Sequence, residues 1–162
     1  MKRFTLITLL VILALLATIG TALAVESRTV FRTGLSGEAA GTNSDAHGNA
    51  VFMFNDDGSA LKYKLVVNGL ENVTMAHIHV AAVPGGDGPP VLWLYPDAPP
   101  PTLIDGTFNG LLGSRTVTSA DLTGAAGISS LNNLITAIEE GRAYVNVHTT
   151  TNPGGEIRGT IR

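Results

Sequence analysis

The chain contains no cysteine. That excludes disulfide staples, thiol catalysis and a lipid-modified cysteine anchor, and it removes thiolate from any metal site. Charge is also sparse: only 14% of residues are Asp, Glu, Lys or Arg, and 10 basic residues face 13 acidic ones. No basic patch is present to neutralise phosphates, so nucleic acid is not an expected partner. Aromatic residues make up 6% of the chain and include a single tryptophan, Trp93.

Long apolar runs are scarce too, and the one that exists stands at the N-terminus. Met1-Lys2-Arg3 is a basic tip, Phe4 to Leu16 is an apolar core, and Ala22-Leu23-Ala24 is a small-residue end. This is the pattern of a secretory signal peptide over residues 1–24, cleaved after Ala24. A membrane anchor is the alternative, but threonines interrupt the run and a spanning helix needs about 20 mainly apolar residues. The expected product is a single domain over residues 25–162, secreted or periplasmic, with no membrane span after cleavage. Setting Lys2 and Arg3 aside makes it more acidic still.

The rest of the chain is cut into short alternating segments by turn residues. Ser27 to Ser36 suggests a first edge strand, and Gly37 to Gly48 a polar loop. Ala50 to Phe54 and Leu61 to Val67 flank Asn55-Asp56-Asp57-Gly58 and form a hairpin. Asn68-Gly69 signals a second turn before Val73 to Val80. Pro84 to Pro90 and Pro96 to Pro101 hold too many breakers for regular structure. Between them Val91 to Tyr95 is apolar throughout and predicts a buried strand, and Ile104 to Val117 holds one or two weak strands. Thr118 to Leu122 suggests one helical turn. From Ser130 to Glu140, Leu131, Leu134, Ile135 and Ile138 recur at helical spacing between a serine start and Gly141. The expected fold is all-β, a Greek-key-like antiparallel β-sandwich with this short helix in a connection.

Gly141 to Arg162 predicts a second hairpin, in which Val145, Val147, Ile157 and Ile161 face the core and Tyr144, Asn146, His148, Glu156, Arg158 and Thr160 face away. Matching faces sets His148 opposite Glu156, Val147 opposite Ile157 and Tyr144 opposite Thr160. A two-residue shift keeps the faces and is the competitor; a one-residue shift turns Ile157 outward.

Ala76-His77-Ile78-His79, the loop ending Gly88-Pro89-Pro90-Val91, and Gly141-Arg142-Ala143-Tyr144-Val145-Asn146-Val147-His148-Thr149 followed by Asn152-Pro153-Gly154-Gly155-Glu156-Ile157-Arg158-Gly159 together resemble the CHRD domain, the module named after chordin. Leu35-Ser36-Gly37, Leu61-Lys62-Tyr63 and Val67-Asn68-Gly69-Leu70 fit the same pattern. Two departures fall in loops: Glu38-Ala39-Ala40-Gly41 stands where members often carry a Glu-Val-Pro-Pro type run, and Ala81-Ala82-Val83 where a glycine is usual. The resemblance implies an extracytoplasmic β-sandwich with no established enzymatic activity.

His77 and His79 stand at i and i+2, about 6.5 Å apart on a strand and on one face. Two imidazoles so placed can converge on one ion, and His148 could join them if its strand is a neighbour. The alternative is structural: histidines hydrogen-bonded to backbone or to the Pro84–Pro90 loop. Glu156, brought beside His148 by the hairpin register, could complete a metal site or instead pair with Arg158. His47, in a Gly/Asn-rich stretch, is expected to be exposed. Zinc or copper suits imidazole donors in the absence of cysteine.

No Gly-x-Ser-x-Gly elbow, acid/base pair or phosphate loop is present, so no catalytic residue is assigned and the protein is not expected to be an enzyme. Three functions are therefore open. The first is a non-catalytic secreted module whose partner is an unidentified protein or extracellular ligand. The second is a copper or zinc protein using His77, His79, His148 and Glu156. The third is a metalloenzyme similar to copper/zinc superoxide dismutase, against which stands the count: that dinuclear site needs more histidines than the four here.

Overall fold

The computed structural model describes residues 29–162, so the expected leader and its cleavage site lie outside the described residues. Seven antiparallel strands dominate: β1 (Val30–Ser36), β2 (His47–Phe54), β3 (Leu61–Val80), β4 (Pro90–Tyr95), β5 (Ile104–Val117), β6 (Ala143–Thr149) and β7 (Ile157–Thr160). The fold is all-β. They form one sheet in the order β2-β1-β7-β6-β3-β4, with β5 also on β3. Because β2 pairs with β3 as well, the ring β3-β2-β1-β7-β6 closes on itself, and the two layers of the expected sandwich are hydrogen-bonded into a barrel-like whole.

The long strand β3 makes this closure. Its first half pairs with β2 from Leu61↔Phe54 to Asn68↔His47, and its second half pairs with β6 from Val73↔Thr149 to Val80↔Ala143. The expected turn at Asn68-Gly69 is instead an irregularity inside a continuous strand. Gly69 (φ 74°) and Asn72 (φ 52°) both take left-handed backbone, and the pairing with β5 slips at Val67/Leu70 and again at Glu71/Val73. Glycine and asparagine tolerate that conformation at least cost, so the strand bends and changes partners without ending. Val73, paired to Ile104 and Thr149 alike, marks the crossing point.

One expectation about edges is corrected. β1 is not an edge strand: β2 pairs along all of it, Ser36 pairs with Arg158 of β7, and Arg32 and Arg162 exchange backbone hydrogen bonds. Ile104–Val117 is one strand of 14 residues, held in register by β3.

Alternation along β2 and β3 sends Phe52, Phe54, Leu61, Tyr63, Leu65 and Val67 into the core. The helix α2 (Leu131–Glu139) adds Leu131, Leu134, Ala137 and Ile138. Its start is capped by Ser130, whose hydroxyl accepts from the Asn133 N–H, and it stops at Gly141 (φ 70°), as its sequence signals predict. A single turn, α1 (Gly37–Ala40), lies inside the expected polar loop. Ser119–Asp121 forms the expected helical turn as a 3-10 turn, closed by a Thr118/Asp121 capping box.

The C-terminal hairpin has the register obtained by matching faces: Val147↔Ile157, Asn146↔Arg158 and Tyr144↔Thr160. Its second face differs from expectation in one respect, since every residue of β6 is buried. The strand is central, with β3 and β7 on its flanks. Its polar face is roofed by hydrogen-bonded contacts from Gly88, Pro153 and Gly154.

Candidate metal centre

The pairing of β3 with β6 sets His77 opposite Asn146, His79 opposite Tyr144 and Met75 opposite His148. His77 and His79 share a face by strand periodicity, and His148 shares it by register. All three are buried, at 3%, 8% and 5% exposure. One ring nitrogen of each lies within 4.8 Å of the others.

Backbone carbonyls orient two of the three rings. His79 Nδ1 is 2.9 Å from Gly88 O, and His148 Nδ1 is 2.9 Å from Pro153 O. A carbonyl only accepts, so each Nδ1 carries the proton and donates it, and each Nε2 keeps its lone pair. His148 Nε2 in turn lies 3.3 Å from His77 Nδ1. Because His148 Nε2 bears no proton, His77 Nδ1 donates to it, and the lone pair of His77 stands on Nε2. His77 packs edge-on to Trp93, with ring centroids 4.2 Å apart, and His79 stacks on Tyr144 at 5.1 Å.

Electrostatically the three rings are held neutral. Burial, and then the neighbouring His148 and His79, push the His77 pKa down to about 3. Burial also lowers His79 and His148, against partial opposition from the Gly88 and Pro153 carbonyls. Neutral imidazole is the ligand form, so the trio offers lone pairs without first losing protons. His77 Nε2 and His79 Nε2 are buried with no hydrogen-bond partner, a costly state for polar atoms.

Glu156, expected beside His148, is occupied elsewhere. Its carboxylate accepts from Ser44 Oγ (2.7 Å), Thr149 Oγ1 (2.6 Å) and Asn152 Nδ2 (3.1 Å). Burial works to raise its pKa, but the hydrogen bonds from Thr149, Ser44 and Asn152 outweigh it and hold the group below its ordinary value. It therefore fastens the β6–β7 loop, and so places Pro153 over His148. Arg158 does not pair with Glu156 but with Asp87, and its guanidinium lies 3.5 Å from the Tyr144 ring centre. His47 is exposed at the start of β2, away from the cluster.

Sequence reasoning passed over Tyr144, Asn146 and Trp93 as site residues, and the carbonyls of Gly88 and Pro153 altogether. Alternation already placed Tyr144 and Asn146 on the face of His148. The adjacency of β3 and β6, which turns that face into a site wall, has no signature in residue pattern.

The class of protein is thus defined by a closed antiparallel β domain carrying three buried neutral histidines under two loops. The CHRD domain family model matches residues 31–161, and the chain belongs to that family. No curated protein and no solved structure matches it.

Proposed function

We propose that this CHRD domain is an extracytoplasmic metal-binding module that holds one zinc or copper ion through His77, His79 and His148, and acts by binding rather than by turnover. The observation that supports it most is the pairing of tautomer control with orphaned lone pairs. Two backbone carbonyls spend the Nδ1 protons of His79 and His148, and the Nε2 atoms of His77 and His79 are left buried without partners. A hydrogen-bonded structural cluster would satisfy those atoms. Three nitrogen donors, no thiolate and no carboxylate in the set favour a borderline ion. Glu156 is no part of the proposed ligand set.

The extracytoplasmic part rests on the N-terminal sequence pattern and the family membership. Among the described residues, no helix is long and apolar enough to cross a membrane. The absence of an acid/base pair or nucleophile elbow in the sequence supports binding over catalysis.

Elemental analysis of untagged protein from its native compartment tests the metal. One zinc or copper per chain is expected, lost in His77→Ala, His79→Ala or His148→Ala and kept in His47→Ala. Folded protein that binds neither ion refutes the reading. N-terminal sequencing of the same sample should begin at Val25.

A further inference from the structure

The count of charges, which predicts no basic patch, hides their placement. Arg115, Arg142 and Arg158 each pair with a carboxylate. The other lysines and arginines among the described residues, Arg32, Lys62, Lys64 and Arg162, gather on one outer sheet face. Arg32 stands opposite Val51, and Val51 opposite Lys64. On its other side Arg32 exchanges backbone hydrogen bonds with Arg162, which extends the row. In the next row Val30, Met53 and Lys62 stand opposite one another in turn. Lys62 and Lys64, two residues apart on β3, are about 6.6 Å from each other, and Arg32 is two strands, about 10 Å, from Lys64. Neither row contains a carboxylate. Asp56 and Asp57 border only the β2–β3 turn, where they line a cleft with Met53 and Lys62, so Lys64 and Arg32, a row further from the turn, are the less neutralised cations.

The same face carries apolar side chains on both sides of the Arg32–Lys64 row. Val30 lies on one side, and Val66, paired with Leu111, on the other. Their exposures are 41%, 38% and 56%, and they are three of the five large hydrophobic residues exposed among the described residues. Cations flanked by exposed hydrocarbon match an anionic lipid surface: phosphates attract the arginines and lysines, and Val30, Val66 and Leu111 enter between the headgroups. An anionic polysaccharide would answer the charge and leave these apolar side chains in water. We propose that this face of β1, β2, β3 and β5 docks the protein peripherally on a bilayer rich in anionic phospholipid. The face lies on the half of β3 that pairs with β2, whereas the histidines occupy the half that pairs with β6, and the inference is independent of the metal reading.

Cosedimentation of the mature chain with vesicles tests it. Binding is expected to phosphatidylcholine vesicles that also contain phosphatidylglycerol, and not to phosphatidylcholine alone. It should be lost at about 1 M salt, where the screening length falls to about 3 Å. Lys64→Gln and Arg32→Gln should each weaken binding about fivefold, the share of one cation at an anionic surface. Leu111→Ser should weaken it with the charge unchanged, which a purely electrostatic site would not show. Arg32, Lys64 and Leu111 are all exposed, so these variants leave the core untouched. Arg142→Gln removes the same charge from another part of the molecule and should leave the affinity as it was. Absence of binding, equal binding to neutral vesicles, or an affinity indifferent to Lys64→Gln and Arg32→Gln overturns the inference. So does an affinity for soluble dextran sulfate that falls with Lys64→Gln while vesicles are ignored, which would make the face a polysaccharide site.

Discussion

His79 Nδ1 stands 2.9 Å from the carbonyl oxygen of Gly88, nine residues further along the chain. The ring belongs to the end of β3, and its partner to the loop that leaves that strand and folds back over it. His148 repeats the device five residues from Pro153 in the next loop. Each histidine is therefore oriented by the loop that follows its own strand, whose carbonyl fixes both the tautomer and the direction of the ring.

Gly88→Ala tests that dependence. A Cβ there would fall 1.9 Å from Val80 O, so the loop has to lift off the strand. Lifting it takes away the carbonyl that orients His79 and the Gly88 contacts of the Tyr144 hydroxyl. Zinc affinity should drop by about 10–100-fold, the usual effect of losing such a partner. Competition with a chromophoric chelator measures it, and an unchanged affinity would detach the loop from the site.

Glu156→Ala separates fastening from ligation. Three donors, Ser44, Thr149 and Asn152, lose a charged acceptor in a buried setting, and unfolding free energy should fall by about 2–4 kcal/mol. Denaturant titration gives that figure. Metal stoichiometry should stay at one per chain, because no ligand is removed; its loss in a folded variant would return Glu156 to the coordination set.

Much of this site was legible in the sequence, and the limit has a physical origin. The face of His77, His79 and His148 follows from period-two geometry, and the Val147↔Ile157 register follows from keeping apolar with apolar. Both are local constraints. Strand order is not: the approach of β3 to β6 depends on a bend at Gly69 and Asn72, where the sequence advertises a turn and the chain makes a bulge. Burial of Tyr144, Asn146 and His148 likewise depends on loops folding over a central strand, and polar residues carry no sign of it.

Leu134→Asp probes the helix. Leu134 is fully buried in the stripe that α2 lays on the core. A carboxylate there has no partner to compensate its desolvation, so a loss of about 3 kcal/mol or more is expected. Thermal and denaturant unfolding measure it, and a near-neutral result would mean that the helix is not packed as described.

The three histidines also predict how the metal-free protein responds to acid. Each has a folded pKa below its ordinary 6.5, that of His77 down to about 3. Between the folded and unfolded values the unfolded chain binds more protons than the native one, so stability rises with pH across that interval. The contribution is complete above pH 6.5, begins to be lost as pH falls through 6.5, and goes on falling until the native rings protonate, near pH 3 for His77. Glu156, held below its ordinary 4.5, acts in the same direction at the acid end: its contribution is present above that value and lost as pH falls through the folded pKa. Urea midpoints from pH 7.5 to 4.5 should therefore hold level at first and then decline steadily below pH 6.5, well before carboxylates titrate. His77→Phe, which removes the most depressed of the three rings, should flatten that decline. Saturating zinc should steepen it, because protons then compete with the ion for the same lone pairs. A wild-type midpoint that is flat down to pH 4.5 would show that the rings are not buried neutral in solution, and with them would go the lone pairs on which the metal site depends.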